Sequence, residues 1–176
     1  MIPVTSKDLL LISSTAKNTE KLAAVINQFS AMFGLTTRKR MAHFLAQCAH
    51  ETMGFRRLEE MASGAAYEGN KVLGNTQKGD GVRFKGRGLL QLTGRANYQA
   101  YASSKFCVGD LMSHPEWLAN YPGCVKSAMW YWWSRGLNAL ADVDNLRAIT
   151  KKINGGYNGY DSREAYLVRS KRVFGL

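Results

Sequence analysis

The sequence predicts a mainly α-helical fold in two lobes, with a loop-rich segment between them. Apolar residues recur at three- and four-residue spacing before residue 50 and again after residue 94, as they do on one face of a helix. Between these regions, residues 62–87 are rich in glycine and contain no run of branched residues typical of a strand. We therefore expect loop in this middle segment, with at most a short β-hairpin.

The first part of the chain carries clear signals for the starts and ends of three helices. Threonine, serine and asparagine side chains cap helix starts, and glycine favours the backbone conformation that ends a helix. The predicted helices run from Thr5 or Ser6 to Ile12, from Asn18 or Thr19 to Gly34, and from Thr36 or Thr37 to Gly54.

Further helices are expected after Gly94, over residues 95–104, about 122–135, 144–153 and 161–174. Asp144 and Asp161 are the predicted caps of the last two. The segment Met129–Trp133 is apolar all round, so its helix should be buried on most sides. Its tryptophans are more typical of a core than of a binding surface.

The length of 176 residues suits one domain, and we expect a single domain over residues 1–176. The apolar run Leu9–Ile12 is too short for a signal sequence or a membrane span. Cys48, Cys107 and Cys124 are an odd number of cysteines at irregular spacing. They indicate free thiols and synthesis in a reducing compartment.

The net charge of +11 favours an anionic partner. Nucleic acid is one candidate, but the basic residues are scattered apart from Arg38–Arg40 and Lys171–Arg172, and no nucleic-acid-binding fingerprint is present. No nucleic-acid partner is therefore expected. An anionic cell wall or outer-membrane surface fits equally well, and so does a solvated basic surface with no partner.

Glu51 is the first candidate catalytic residue, because it stands at a position where the helical pattern predicts an apolar residue. Met41, Phe44, Leu45 and Cys48 form a stripe of which Glu51 is the next member. A carboxylate on the inward face of a helix is costly unless its protonated form is useful, as it is in a general acid. The alternative is that the stripe ends there and Glu51 reaches into solvent.

Other chemistries find less support in the sequence. His43 and His50 share a helix face, but a histidine pair without a third ligand is a weak metal signal, and we expect no metal or cofactor. No nucleophile turn or phosphate loop is present. A second acid remains, Glu59 or Glu60, which the helix break at Gly54 allows to face Glu51 across a cleft. Two carboxylates flanking a cleft suit glycoside cleavage.

Three segments then resemble glycoside hydrolase family 19, and within it the single-domain endolysins of phages that infect Gram-negative bacteria. The three segments are HETMGF at residues 50–55, KGRGLLQLTGRANY at residues 85–98 and ITKKINGG at residues 149–156. The first segment is followed by an acid nine residues after its glutamate. The resemblance extends from residue 41 to about residue 170. It implies a lysozyme-like, mainly α fold and inverting hydrolysis of β-1,4-linked amino-sugar chains.

The resemblance also implies roles for single residues. Glu51 would be the general acid and Glu60 the general base, a choice between Glu59 and Glu60 that spacing alone cannot make. Thr93 would help to hold the attacking water. The residues expected to line the sugar groove are Gln91, Tyr98 and Asn154, together with Tyr67 in the glycine-rich loop.

Two positions depart from the family pattern. Met53 stands where many relatives have a small residue, and Asn158 stands where plant chitinases usually carry an acid. We therefore expect a muramidase-type peptidoglycan glycosidase that causes cell lysis, with a chitinase as the closest alternative and an inactive wall-binding module as another. The expected enzyme is a monomer without a separate wall-binding domain. It would be made in the cytoplasm of a bacterial host and would act at the cell wall.

Overall fold

A computed structural model describes residues 2–176, and helices dominate it. Within these residues the α-helices are α1 Ser6–Ile12, α2 Thr19–Phe29, α3 Arg38–Glu51, α4 Asp80–Arg83, α5 Arg95–Ala102, α6 Gly123–Ser134, α7 Leu137–Asp142, α8 Leu146–Asn154 and α9 Tyr160–Val173. Short 3-10 helices lie at Ser30–Phe33, Ala65–Tyr67, Lys71–Leu73 and Pro115–Ala119. The described chain has no β-strand beyond isolated antiparallel bridges that join Arg87 to Glu59 and to Leu92.

The chain forms two compact units. The first contains the residues up to Arg56 together with Trp132–Leu176, and the second contains Arg57–Tyr131. The second unit includes the loop-rich segment that the glycines predicted. The expectation of one catalytic domain over residues 1–176 stays a prediction.

Helix α3 is the centre of the first unit. Thr37 caps its start by accepting a hydrogen bond from the Arg40 amide at 3.2 Å, as its sequence predicted. All residues from Met41 to Ala49 are buried, so this helix is enclosed on every side and not only along one stripe. It packs against α9 and α7, and the Phe44 ring meets the edge of Trp132 at a centroid distance of 5.6 Å.

The two helices before α3 begin and end near the predicted residues. Thr5 and Asp8 form a capping box at the start of α1, in which each side chain bonds the other residue's backbone amide. Helix α2 starts after Asn18 and continues as a 3-10 turn to Gly34, which has a φ of +70°. The glycine ends the helix because residues with a side chain rarely adopt this conformation.

The core of the second unit is aromatic and aliphatic. The rings of Phe84 and Tyr98 pack at a centroid distance of 5.2 Å, and those of Tyr101 and Trp130 at 5.1 Å. These contacts bury large apolar areas, which dominate the stability of a unit that has little regular structure in its first half.

Two predicted caps are wrong. Asn145, not Asp144, caps α8, and its side chain accepts a hydrogen bond from the Ala148 amide at 2.9 Å. The Asp144 carboxylate instead contacts His43 at 2.6 Å and pairs with Lys171. Asp161 lies in the first turn of α9, whose cap position is Gly159. Helix α7 and the turn at Pro115–Ala119 were not predicted.

The cysteines are thiols, as predicted, with Cys48 and Cys124 buried and Cys107 partly buried. None of the helices in residues 2–176 is both long enough and apolar enough to cross a lipid bilayer.

Candidate active site

Glu51 is the last residue of α3 and is bound to a buried cation. Its Oε1 lies 2.6 Å from Nη2 of Arg163 on α9, and the side chains are 18% and 1% exposed, respectively. Glu51 therefore does not extend freely into solvent. The sequence interpretation considered the burial of Glu51 but missed Arg163. The signal for Arg163 was its place on the stripe that Leu167 and Ser170 continue at helical spacing.

The Arg163 guanidinium is fixed by more than Glu51. Its Nη1 donates to Oε1 of Gln47 at 2.5 Å, and its Nε donates to the Asn158 carbonyl at 3.4 Å. A planar guanidinium with several fixed partners holds a carboxylate in one orientation. The first unit thus supplies a carboxyl group with a defined position.

His50 precedes Glu51 and is a neutral imidazole at pH 7. Burial, and secondarily the positive charge of Arg163, lowers the pKa of His50 to about 4. Its Nδ1 lies 3.0 Å from Oγ of Ser162. The residues that the structure describes contain no group of three or more His, Cys, Asp or Glu side chains that could hold a metal ion.

The backbone turns sharply after Glu51. Met53, Gly54 and Phe55 have φ values of +54°, +79° and +62°. The turn is stabilised by the Thr52 hydroxyl, which donates to the Cys48 carbonyl at 2.6 Å and accepts from the Phe55 amide at 2.9 Å. A Cβ at Gly54 would collide with Oγ of Ser13, so the segment after α1 packs directly on the end of α3.

Glu60, in the second unit, has a hydrogen-bond donor on each carboxylate oxygen. Oε1 accepts from the Tyr67 hydroxyl at 2.9 Å, and Oε2 accepts from the Gly86 amide at 3.2 Å. The Glu60 amide also donates to the Gly86 carbonyl at 2.9 Å. Burial, together with the Glu60 carboxylate, raises the pKa of Tyr67, so this phenol remains a donor at neutral pH.

Glu59 has a different environment from Glu60. Its Oε1 lies 2.9 Å from Nε of Arg87 and 3.3 Å from Nζ of Lys85, and its side chain is 41% exposed. Two cations compensate the charge of Glu59, whereas the side-chain contacts of Glu60 are with neutral donors. A general base must accept a proton, and cations beside a carboxylate oppose that step. The contacts therefore favour Glu60 over Glu59, a choice that sequence spacing left open.

Gly86 brings three of the predicted residues together. An ideal Cβ at Gly86 would lie 3.0 Å from Oε1 of Gln91 and 3.2 Å from both Oε2 of Glu60 and Oγ1 of Thr93. These three side chains therefore converge on a position that a larger residue would fill. The Thr93 hydroxyl donates to the Gln91 carbonyl at 2.8 Å, which leaves its oxygen as an acceptor for a further group.

The remaining predicted groove residues have mixed outcomes. Tyr98 is 0% exposed, so it cannot line a groove, and this prediction is wrong in the described structure. Its hydroxyl donates to the Lys85 carbonyl at 2.8 Å and accepts from Nη1 of Arg87 at 3.1 Å, and burial raises its pKa to about 12. Asn154 is exposed in the first unit, and its role in sugar binding stays a prediction.

The comparison with protein families decides the assignment. Residues 18–146 match the model of glycoside hydrolase family 19, which is described as chitinase class I. The chain belongs to this family. It is accordingly a glycoside hydrolase, as the sequence segments predicted.

Similar proteins of this family occur in bacteria and plants. A Haemophilus influenzae protein described as a glycosyl hydrolase family 19 domain-containing protein is 32% identical over 162 residues, which cover 74% of this chain and 78% of the relative. An endochitinase of Arabidopsis thaliana is 32% identical over 161 residues, which cover 87% of this chain and 54% of the relative. The family 19 chain thus spans about half the length of that plant enzyme.

A solved chitinase structure has the same fold. Chitinase C of Streptomyces griseus matches with a TM-score of 0.75 at 20% identity, over 98% of this chain and 92% of the chitinase chain. The likeness confirms the predicted mainly α, lysozyme-like fold of this family 19 hydrolase.

Proposed function

We propose that this family 19 hydrolase cleaves the β-1,4 glycosidic bonds of bacterial peptidoglycan, as a muramidase-type endolysin that causes cell lysis. The observation that carries this proposal is the net charge of +11, with a pI of about 9.8. A strongly basic enzyme is attracted to an anionic, peptide-bearing wall polymer, and this attraction raises the rate of association. A neutral polymer offers no such attraction.

The proposed reaction is a single-step inversion. Glu51 in its protonated form donates a proton to the leaving oxygen, and Arg163 keeps the Glu51 carboxyl in position and compensates the charge of the carboxylate that remains. Glu60 removes a proton from the attacking water, which the Thr93 hydroxyl helps to orient. A hydroxyl that holds a water is useful in the first step only if water, and not a carboxylate, attacks the sugar. Gln91 and Asn154 are proposed to bind the sugar chain.

Chitin is the second candidate substrate. The matched family is described as chitinase class I, and the Arabidopsis relative is an endochitinase. Chitin is a neutral polymer of N-acetylglucosamine, so a chitinase would not need the positive charge. An inactive wall-binding module is a third possibility, and the ordered contacts of Glu51 and Glu60 argue against it because a binding module has no use for two oriented carboxyl groups.

One pair of assays tests the three functions. We expect the protein to reduce the turbidity of Gram-negative cells whose outer membrane has been permeabilised, and to release little soluble sugar from chitin. Sugar release from chitin without turbidity loss would establish a chitinase instead. Activity in neither assay, with binding to isolated cell walls, would establish a binding module. Glu51→Gln should be inactive in both assays, and Glu164→Gln, a matched change at an exposed residue, should be fully active.

The proposed setting follows from this function. The enzyme is proposed to be a monomer without a cofactor, made in the cytoplasm of a bacterial host and acting at the wall in the periplasm. Its partner is the peptidoglycan chain and not nucleic acid. Gel filtration at several protein concentrations tests the oligomeric state, and a concentration-dependent elution volume would contradict the monomer.

A further inference from the structure

The loop of residues 64–81 is organised around a buried amide. Asn75 is fully buried in the second unit. Its Nδ2 donates to the Tyr67 carbonyl at 2.9 Å, and its Oδ1 accepts from the Arg95 amide at 2.8 Å. A buried amide group with both of its ends bonded fixes the two segments it joins, because breaking either bond would leave an unsatisfied polar atom. The backbone of Tyr67 is therefore tied to the start of α5.

The far end of the same loop is fixed by charges. The Arg95 side chain donates to both carboxylate oxygens of Asp80 at 2.8 and 2.6 Å, and Asp80 is almost fully buried. The Arg95 hydrogen bonds hold the pKa of Asp80 below its usual value. The Glu68 carboxylate accepts the amides of Gly79 and Gly81 at 2.6 and 2.8 Å. Both ends of the loop are thus anchored by side-chain hydrogen bonds.

This anchored loop delivers one functional group, the Tyr67 hydroxyl, to Glu60. We propose that Tyr67 is a positioning residue for the base Glu60, and that Asn75 places Tyr67 through its backbone. The inference rests on the proposed function, in which Glu60 activates water. It differs from the sequence expectation, which assigned Tyr67 to sugar binding.

The contacts explain what positioning achieves. Donors on both oxygens, Tyr67 on one and the Gly86 amide on the other, fix the plane of the Glu60 carboxylate. The remaining lone pairs then have fixed directions, which a base needs in order to accept a proton from one bound water. A phenol has a single O–H. Because Glu60 accepts that hydrogen, the Tyr67 oxygen can only accept from a sugar.

Tyr67→Phe tests the inference, because it removes the hydroxyl and keeps the ring. We expect kcat to fall about tenfold, the usual effect of losing a hydrogen bond to a charged group, with little change in KM. The ascending limb of kcat/KM against pH should move to higher pH, since one donor to the charged base is lost. Tyr166→Phe, the same change on α9 outside the site, should leave kcat, KM and the pH profile unchanged.

Asn75→Asp provides a second variant that does not touch Tyr67. It keeps the acceptor for the Arg95 amide and places an oxygen where the donor to the Tyr67 carbonyl was. The pH profile should move in the same direction as in Tyr67→Phe, while circular dichroism remains that of the wild type. An unchanged limb and kcat in both variants would overturn the inference. A raised KM with unchanged kcat in Tyr67→Phe would also overturn it, in favour of sugar binding.

Glu60→Gln in the same series separates this inference from the proposed function. Full activity of Glu60→Gln would remove Glu60 from the proposed reaction and would overturn both. Loss of activity in Glu60→Gln with wild-type behaviour of Tyr67→Phe would leave the proposed function in place and overturn the positioning role alone.

Discussion

Replacing Glu51 by glutamine should inactivate the enzyme and also destabilise it, because Arg163 depends on the Glu51 charge. The sequence alone predicts little loss of stability, since an amide of similar volume replaces the acid. The structure changes that expectation. The Arg163 side chain is 1% exposed. Within residues 2–176, Glu51 provides the one carboxylate that lies within ion-pair distance of Arg163. After the replacement, a buried guanidinium would lack a counter-charge.

The size of the effect follows from the contacts that remain. Removing one partner of a fully buried ion pair costs about 3–5 kcal/mol. Here the glutamine carbonyl still accepts from Arg163, and Gln47 and Asn158 keep their hydrogen bonds to it. The side chain of Glu51 is also 18% exposed. We therefore expect a loss of about 1–3 kcal/mol in the free energy of unfolding. For a chain of this size the melting temperature should fall by about 3–10 °C.

Urea unfolding at pH 7, followed by circular dichroism, measures this effect. The denaturation midpoint of Glu51→Gln should decrease while the slope of the transition stays constant. Glu164→Gln on α9 is the matched control, because it is the same chemical change at an exposed residue. Coincident unfolding curves for the two variants would refute the dependence of Arg163 on the Glu51 charge. Activity above about one hundredth of the wild type would refute the acid role of Glu51.

The remaining predictions concern the reaction, the substrate and the effect of pH. Thr93→Ala should remain folded but lose activity. For the wild-type enzyme, proton NMR of the first product from a defined β-linked oligosaccharide should show the α-anomer, and an initial β-anomer would exclude inversion. Wall-lytic activity should fall as salt rises from about 0.05 to about 0.5 M, because ions screen attraction to an anionic polymer, and a flat profile would indicate a neutral substrate. His50 has a pKa of about 4 when folded and 6.5 when unfolded, so its contribution to stability is present above 6.5 and is lost as pH falls from 6.5 towards 4. Since His50 is partly exposed, the expected loss is about 1–2 kcal/mol in pH-dependent unfolding, and His50→Gln should remove that part of the pH dependence.

The helix ends could be predicted because their signals are local. Thr5 and Thr37 cap helices through bonds to residues three positions away, and Gly34 ends one through its own backbone conformation. Such contacts involve residues that are close in sequence, so a single chain is enough to identify them. The same kind of signal failed at Asp144, where a buried histidine and a lysine from distant positions bind the carboxylate.

The environment of the candidate site could be predicted only in part. Glu51 was identified from its place in an apolar stripe, but its partner Arg163 is 112 positions further along the chain, and nothing in helical spacing joins the two. Tyr98 was assigned to the groove by resemblance, yet it is fully buried. Family segments indicate which residues stay near a site, and only packing shows which of them reach its surface.

The choice between Glu59 and Glu60 depends on register, which a sequence does not display. Successive residues of extended chain point to opposite sides. The isolated bridge pairs Glu59 with Arg87, so that Glu59 contacts the cations of Arg87 and Lys85. The backbone amide of the next residue, Glu60, donates to the Gly86 carbonyl, and the Glu60 carboxylate accepts from the Gly86 amide. Gly86 has no side chain, and its place leaves room for Glu60 and the Thr93 hydroxyl to approach each other. A slip of one residue would exchange the two glutamates, so that Glu60 would face Arg87 and Glu59 would lie beside Thr93. This short bridge therefore determines which acid is available as a base, although the described chain has no β-strand around it.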